Sequence, residues 1–297
     1  MHPNSSGGLS RKSFKFSEAE IRFRRKSMKR EIKFSVLAAL TIVMFWQVFV
    51  GSAYAIVNGV RDWDAHPYVG MMVFEDVNGD LWRCSGSLIS PTVFLTAGHC
   101  TVDAVEAWIS FDEDLRNVSY TDFPYHSTEF HTKMPYGALG PGLPGFAAGY
   151  DVGIVILDQP VSVDDVSEYA LLPDSTLLES LPPMAGVTLV GYGVQWQERG
   201  KGITPPTSWR GLRVRMQADA EIIPSRDVVD DKYLKITANV GDDRGSTMFG
   251  DSGGPVLIGD TVVAVTSFGT SYNRGGVGYY SRVDISEVNN WIQGYLP

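Results

Sequence analysis

Residues 250–255 read Gly250-Asp251-Ser252-Gly253-Gly254-Pro255, and no other stretch of the chain is as informative. A serine hydroxyl is a good nucleophile only when a base removes its proton, and the substrate oxygen then needs hydrogen-bond donors. Glycines on both sides of Ser252 let the backbone turn its N–H groups toward one point, because no Cβ obstructs the approach. The segment predicts a nucleophilic serine, whereas a bare Gly-x-Ser-x-Gly would leave a simple turn open.

Two further segments supply the partners that such a serine needs. His99 lies in the segment Thr96–Cys100, and its imidazole can take the serine proton and return it to a leaving amine. Asp151 precedes the apolar run Val152–Leu157, where a buried carboxylate can fix the histidine tautomer and stabilise the imidazolium. Isolated histidines are more often structural, and we expect that role for the other four: His2, His66, His126 and His131.

The pattern after Ala55 favours an all-β domain, because short apolar runs alternate with turn residues. Asn78-Gly79 and Gly259-Asp260 each separate two such runs and predict antiparallel hairpins. Residues 134–149 are dense in glycine and proline and predict a surface loop. Ile285–Leu296 places apolar residues at helical spacing, which predicts a closing helix.

Charge and cysteine content exclude several classes of function. Residues 1–55 carry a charge of +7, so the net charge of −9 leaves −16 for residues 56–297. A surface this acidic argues against nucleic-acid binding, which needs clustered Lys and Arg. Cys84 and Cys100 form no Cys-x-x-Cys pair, which excludes a zinc ribbon or a thioredoxin-like motif, and one disulfide is the expected use.

The first 55 residues predict an export signal. An apolar run at residues 34–50 follows a basic stretch and precedes Ala53-Tyr54-Ala55, an Ala-x-Ala cleavage site. A retained membrane anchor is the alternative, because the run approaches the roughly 20 residues that span a bilayer. Translation from Met28 would by itself give a compact signal peptide. We expect secretion, to the extracellular space or the periplasm, after cleavage near Ala55, with membrane attachment only if the leader is retained.

The three segments, in the order His99, Asp151 and Ser252, resemble the chymotrypsin and trypsin family. The resemblance extends over nearly all of residues 56–297. It begins at Ile56–Gly59, which resembles the family's mature N-terminus. It implies two antiparallel β-barrels and a short C-terminal helix, with the active site in the cleft between the barrels. The first barrel would comprise residues 56–169 and the second residues 170–297.

The resemblance also assigns roles around the triad. It implies oxyanion donors at the backbone N–H groups of Gly250 and Ser252, and an ion pair between the freed amine of Ile56 and Asp251. It implies a disulfide between Cys84 and Cys100. The implied specificity pocket contains Ser246, Thr247, Ser267, Phe268, Gly269 and Gly278.

Two departures from the family pattern bear on the site. Met248 stands where the family usually has a cysteine, so the pocket lacks that covalent brace, and Gly153 replaces a small side chain beside the acid. The implied pocket floor, Ser246 and Thr247, is uncharged, whereas a buried carboxylate there would reward Lys or Arg. We expect cleavage after Phe, Tyr, Leu or Met, unless the nearby Asp242–Asp243 reaches the pocket.

The junction at Ala55 predicts how the enzyme is activated. No Lys or Arg precedes Ile56, so cleavage of the signal peptide would itself create the activating N-terminus. The alternatives are trimming to Ile56 by another protease, or a retained leader with a different partner for Asp251.

Other functions are weaker fits to the sequence. A catalytically silent binding protein on the same fold would usually have lost a triad residue or an oxyanion glycine, and all are present. An esterase of the strand–elbow–helix type would need a setting that is absent here. Asp112-Glu113-Asp114 could attract a hard cation, but its spacing favours a solvated acidic turn. We expect a monomeric enzyme acting on proteins or peptides, with no cofactor, metal or nucleic acid.

Overall fold

The computed structural model describes residues 56, 59–133, 149–174, 177–194, 211–223, 231–237, 245–269 and 277–297, and the backbone of 196–198 and 208–210. The leader, the loop predicted at 134–148 and the pair Asp242–Asp243 lie outside the described residues. Within the described part, no helix is long and apolar enough to cross a membrane.

The described residues form strands and one closing α-helix, α1, at Ser286–Gln293. The strands are β1 (Val60–Arg61), β2 (Val69–Asp76), β3 (Leu81–Ser90), β4 (Val93–Thr96), β5 (Ala104–Ser110), β6 (Tyr125–Ser127), β7 (Glu129–Thr132), β8 (Gly153–Ile156), β9 (Gly186–Gly191), β10 (Trp196–Glu198), β11 (Ser208–Arg210), β12 (Met216–Ile222), β13 (Tyr233–Thr237), β14 (Pro255–Ile258), β15 (Thr261–Gly269) and β16 (Val277–Arg282).

The first sheet has the strand order β6-β5-β2-β3-β4-β8-β7, and all its pairings are antiparallel. The β2–β3 hairpin turns at Asn78-Gly79 as predicted, and Gly79 has the positive φ of 82° that such a turn requires. Many side chains of these strands, among them Phe94 and Ile109, are fully buried in the core. The sheet thus curls into a nearly closed barrel.

The second sheet has the order β1-β12-β13-β16-β15-β14-β9, and β9 also pairs with β12, which closes the ring. The predicted hairpin at Gly259-Asp260 joins β14 and β15, and Gly259 has a φ of 57°. A core cluster that includes Leu189, Val256 and Tyr280 fills this barrel. The predicted fold class, two antiparallel β-barrels with a short C-terminal helix, is confirmed, while the boundary at residue 169 stays a prediction.

Helix α1 begins at Ser286, one residue later than predicted, and buries Val288 and Ile292 on one face. In its first turn, Glu287 accepts hydrogen bonds from Lys133 Nζ at 2.8 Å and from the Tyr150 hydroxyl at 2.6 Å. The helix therefore holds the residue that precedes Asp151.

A buried charged network fastens the segment that follows Ile56. Arg215 is fully buried and donates to the Asp62 carboxylate at 2.8 Å and to the carbonyls of Trp63 at 2.7 Å and Phe111 at 2.8 Å. Burial raises the pKa of Asp62, but the hydrogen bond from His66 and the charge of Arg215 outweigh it, so the pKa lies below its ordinary value. One guanidinium thus ties this segment to both barrels.

Candidate active site

His99 lies in a short 3-10 turn, Gly98–Cys100, that follows β4. A disulfide between Cys84 and Cys100, with Cα atoms 6.4 Å apart, attaches this turn to β3. Asp151 directly precedes β8, which pairs with β4, so sheet pairing brings the aspartate to the histidine turn. Asp151 Oδ1 accepts the backbone N–H of His99 at 2.8 Å, and Oδ2 lies 2.9 Å from His99 Nδ1.

The Asp151 carboxylate is fully buried. Its Oδ2 also accepts a hydrogen bond from the Ser267 hydroxyl, and its backbone N–H donates to Ser281 Oγ at 3.2 Å. Burial lowers the pKa of His99, but the charge and hydrogen bond of Asp151 outweigh burial and raise it above its ordinary value. The geometry fixes the imidazole through Nδ1, which leaves Nε2 to exchange protons.

The absence of a side chain at Gly153 has a physical reason. A Cβ placed there would lie 2.5 Å from Thr101 Oγ1 and 2.7 Å from the Ala97 carbonyl oxygen, closer than real Cβ atoms come. Thr101 Oγ1 donates to the Gly98 carbonyl at 3.0 Å and lies 2.8 Å from Thr132 Oγ1. A hydroxyl of the histidine turn thus occupies the space that a side chain at Gly153 would need.

The loop with Ser252 is held by backbone hydrogen bonds from both barrels. The Ser252 carbonyl accepts the N–H of Ser85 in β3 at 2.8 Å, and the N–H of Gly253 donates to Thr266 in β15 at 2.8 Å. The Ser85 hydroxyl donates to the Gly250 carbonyl at 2.9 Å. Gly250 has a φ of +93°, which glycine adopts without strain.

The two N–H groups expected to be oxyanion donors differ from their neighbours in the loop in their hydrogen bonding. The backbone N–H groups of Asp251, Gly253 and Gly254 all donate to carbonyl oxygens. Those of Gly250 and Ser252 have no acceptor among the residues that the structure describes. Gly250 is buried and Ser252 is partly exposed, so a ligand oxygen that reaches Ser252 could accept from these two groups.

Asp251 is fully buried beneath this loop. Its Oδ1 accepts the N–H of Gly193 at 2.7 Å and its Oδ2 accepts the N–H of Met248 at 2.8 Å. Burial raises the pKa of Asp251 to about 6, despite these hydrogen bonds and the charge of Arg83. The N–H of Asp251 donates back to the Met248 carbonyl at 3.0 Å, so hydrogen bonds brace the loop where the family's cysteine is missing.

The side chain of Ile56 is fully buried in the core cluster of the second barrel. The described residues show no contact between Ile56 and Asp251, and Ile56 has no free amine while the leader precedes it. Their ion pair therefore stays a prediction.

Strand pairing brings together three of the residues predicted to line the specificity pocket, namely Phe268, Gly269 and Gly278. Phe268 pairs with Tyr279 and Gly269 with Gly278 across β15 and β16, and the two aromatic rings stack at 4.7 Å. Thr247 Oγ1 lies 3.0 Å from the hydroxyl of Tyr280. Ser246 and Thr247 are partly exposed, and no carboxylate contacts either side chain within the described chain. Ser267, also predicted for the pocket, directs its hydroxyl to Asp151, so its place in the pocket stays a prediction.

Sequence reasoning missed two side chains beside Gly250. Phe249 directly precedes Gly250 and is 46% exposed. Arg83 packs against Gly250, because its Nε would lie 2.8 Å from a Cβ placed on that glycine. Neither belongs to a motif, and only the approach of β3 to the loop brings Arg83 there.

Two groups of potential metal ligands have other partners. Cys84, His99 and Cys100 bring ligand atoms within 4.8 Å of one another, but both sulfurs belong to the disulfide and offer no thiolate. In the acidic turn, Glu113 and Asp114 pair with arginines: Arg61 contacts both, and Arg116 contacts Asp114. The hydrogen bond from Arg116 is the largest cause that lowers the pKa of Asp114 to about 2.

Two β-barrels, a hydrogen-bonded histidine–aspartate pair and a glycine-framed serine in a loop held by both barrels are the parts of a protein built like a serine protease. The family model described as Trypsin matches residues 57–292, and the chain belongs to this family.

Relatives with known names agree with this assignment. The chain is 28% identical over 225 residues to a trypsin of Saccharopolyspora erythraea, covering 73% of this chain and 88% of that protein. It is 29% identical over 204 residues to brachyurin of Leptuca pugilator, covering 65% of this chain and 78% of that protein.

Solved structures show the same fold. The chain is similar to HL collagenase, with a TM-score of 0.63 and 20% identity over 80% of this chain and 97% of the other. It is also similar to a scabies mite inactivated protease paralogue, with a TM-score of 0.56 and 20% identity over 80% and 98% of the two chains. The fold therefore carries both active and inactivated members.

Proposed function

We propose that this chain is a secreted serine endopeptidase that cleaves peptide bonds after large apolar residues. One observation supports activity most strongly. Asp151 binds His99 through both carboxylate oxygens, while the N–H groups of Gly250 and Ser252 have no acceptor among the described residues. Both features are what the reaction requires, since the base must be oriented and the oxyanion needs donors.

The proposed reaction begins with attack of Ser252 Oγ on the scissile carbonyl carbon, while His99 Nε2 takes the hydroxyl proton. The carbonyl oxygen becomes an oxyanion and accepts hydrogen bonds from the N–H groups of Gly250 and Ser252. When the C–N bond breaks, His99 gives its proton to the leaving amine and the acyl group stays on Ser252. Water, deprotonated by His99, then releases the acid and restores the serine.

Asp151 acts in this scheme through the histidine. Its hydrogen bond to Nδ1 orients the imidazole so that Nε2 carries out the proton transfers, and its negative charge stabilises the imidazolium that forms in each of them. The Ser267 and Ser281 hydroxyls hold the carboxylate segment in place. The raised pKa of His99 makes its neutral form a stronger base. It also means that a higher pH is needed for His99 to be neutral.

The proposed specificity follows from the uncharged residues in the described part of the predicted pocket. Ser246 and Thr247 offer hydroxyls. The Val277 carbonyl oxygen would lie 3.7 Å from a Cβ placed on Gly269, and the Tyr280 ring packs against Gly278. A Lys or Arg side chain would lose its water there without gaining a carboxylate, whereas Phe, Tyr, Leu or Met would gain apolar burial.

The proposed activation uses the same cleavage that ends export. Signal peptidase would cut after Ala55, and the new ammonium of Ile56 would pair with Asp251. The buried Ile56 side chain supports this proposal, and so does the Asp251 carboxylate, whose burial outweighs its two hydrogen bonds and the charge of Arg83. N-terminal sequencing of the active secreted protein tests it, and an active species that begins elsewhere would contradict it.

Peptides that differ only before the scissile bond test the function. The protein beginning at Ile56 is assayed on matched peptides with Phe, Leu, Lys or Arg at that position, beside the Ser252→Ala variant as the control. We expect kcat/KM to be highest for Phe and Leu and the variant to be inactive. A strong preference for Arg would overturn the specificity. Equal hydrolysis by Ser252→Ala would overturn the enzyme assignment.

A further inference from the structure

The guanidinium of Arg83 lies against the loop that carries the expected oxyanion donors. A Cβ placed on Gly250 would lie 2.8 Å from Arg83 Nε and 3.1 Å from Nη2, so the guanidinium covers one face of this glycine. Arg83 belongs to β3, directly before Cys84, and its side chain is partly exposed. A cation that solvent can reach thus borders the reaction centre.

Arg83 holds its charge here without a carboxylate partner. Its side chain makes no hydrogen bond or ion pair within the described chain. Burial lowers the pKa of Arg83; the charge of Asp251 raises it, and the like charge of Arg213 lowers it. Arg213 donates to the carbonyls of Val118 and Arg116, at 3.0 and 2.9 Å, and contacts no carboxylate in that part of the chain.

Two neighbouring guanidinium groups without an ion pair are unusual among the residues that the structure describes. Residues 56–297 carry a net charge of −16, and other arginines in the described segments are paired: Arg61 with Glu113, Arg116 with Asp114, and Arg215 with Asp62. A partly desolvated cation gains both charge balance and hydrogen bonds when an anion binds it. The surrounding acidic surface would repel an anion anywhere else.

The position of Arg83 indicates which part of a substrate reaches it. In the proposed function, the acyl half of the substrate occupies the predicted pocket beside β15 in the second barrel. The leaving amine must meet His99, which belongs to the first barrel. The disulfide joins the residue after Arg83 to the residue after His99. Substrate residues that follow the scissile bond therefore run along the side of the loop where Arg83 lies.

We propose that Arg83, assisted by the charge of Arg213, is a specificity-determining residue that selects an acidic side chain within the first two residues after the scissile bond. This inference rests on the proposed protease function and adds a second recognition site to the apolar pocket. It assigns the substrate class as proteins with an apolar residue followed closely by Asp or Glu.

Quenched fluorescent peptides test the assignment. All share one acyl half ending in Phe and carry Glu, Gln or Lys at the first or the second residue after the scissile bond. For the wild-type protein we expect kcat/KM for the better Glu peptide to exceed that for its Gln counterpart by about five- to tenfold. The ratio should decrease at high salt, because Arg83 is partly exposed.

Three variants of Arg83 separate charge from packing. Arg83→Gln should bring the Glu-to-Gln ratio close to one, Arg83→Lys should keep it above one, and Arg83→Glu should favour the Lys peptide. Arg61→Gln removes the same charge from a pair with Glu113 and should keep the wild-type ratio. Because each ratio compares two substrates on one enzyme, a general loss of activity cancels.

The possible failures are distinguishable. Equal cleavage of Glu and Gln peptides by the wild-type protein, or an undiminished Glu preference in Arg83→Gln, overturns the role of Arg83 and leaves the protease function standing. If the wild-type protein cleaves none of the peptides and no serine-directed probe labels it, the proposed function fails and the inference fails with it. The wild-type ratio decides even where a variant does not fold.

Discussion

Residues retained in front of Ile56 should make the folded protein less stable above pH 6 than the form that begins at Ile56. Without an ammonium nearby, burial raises the pKa of Asp251 from 3.8 to about 6. This difference of about two units corresponds to roughly 3 kcal/mol. Because the folded-state pKa is the higher one, stability is full below about pH 4, is lost as the pH rises to about 6, and stays lost above.

The assay compares two proteins, one beginning at Ile56 and one that retains residues 52–55, by urea unfolding between pH 4 and pH 8. The ammonium of Ile56 should lower the pKa of Asp251, so the mature form should lose much less stability over this range. Asp251→Asn in the extended form is the control, and it should remove the extra pH dependence. Identical pH dependence of the mature and extended forms would refute the pairing of Ile56 with Asp251.

Three further predictions concern the surroundings of the site. Asp151→Asn should lower kcat by roughly three to four orders of magnitude. It should also move the acidic limb of the profile of kcat/KM against pH to lower pH, because the charge that raises the pKa of His99 is gone. An acidic limb at the wild-type pH would contradict this cause. Gly153→Ala should lower the free energy of unfolding in urea by about 1–3 kcal/mol, because its Cβ meets Thr101 and the Ala97 carbonyl. Adding Thr101→Ser should not restore the full stability, since the carbonyl remains. A single substitution without effect on stability would show that the space is larger. Arg215→Met should lower the free energy of unfolding by about 3–5 kcal/mol, because it leaves the buried Asp62 carboxylate without its cation. Adding Asp62→Leu should restore part of that stability. If no stability is restored, the loss is due to packing and not to charge.

The fold could be predicted where local chemistry decides it. Asn78-Gly79 and Gly259-Asp260 predict hairpins, because glycine readily adopts the positive φ that such turns need. Both hairpins are present. Apolar spacing placed helix α1 within a residue of its observed start. These signals are contained within a few neighbouring residues, so one sequence is enough to read them.

The candidate site was predictable for a different reason, and only in part. His99, Asp151 and Ser252 each lie in a short motif, and strand pairing then places Asp151 at the histidine turn. Their catalytic roles stay predictions. The contact of Ser267 with Asp151 spans 116 residues, and the approach of Arg83 to Gly250 depends on how β3 meets the loop. No local pattern encodes such contacts, so sequence reasoning missed them.

The measurement that tests the central claim most directly is labelling of the mature protein with a fluorophosphonate probe, followed by peptide mass spectrometry. We predict one adduct, on Ser252, when folded protein is labelled, and none when the protein is heat-denatured before the probe is added. The reason is that only a serine activated by His99 attacks the probe. The His99→Ala variant should label far more slowly, and Ser252→Ala should not label. Absence of an adduct on Ser252 in folded protein that begins at Ile56, or equal labelling of His99→Ala, would contradict the account.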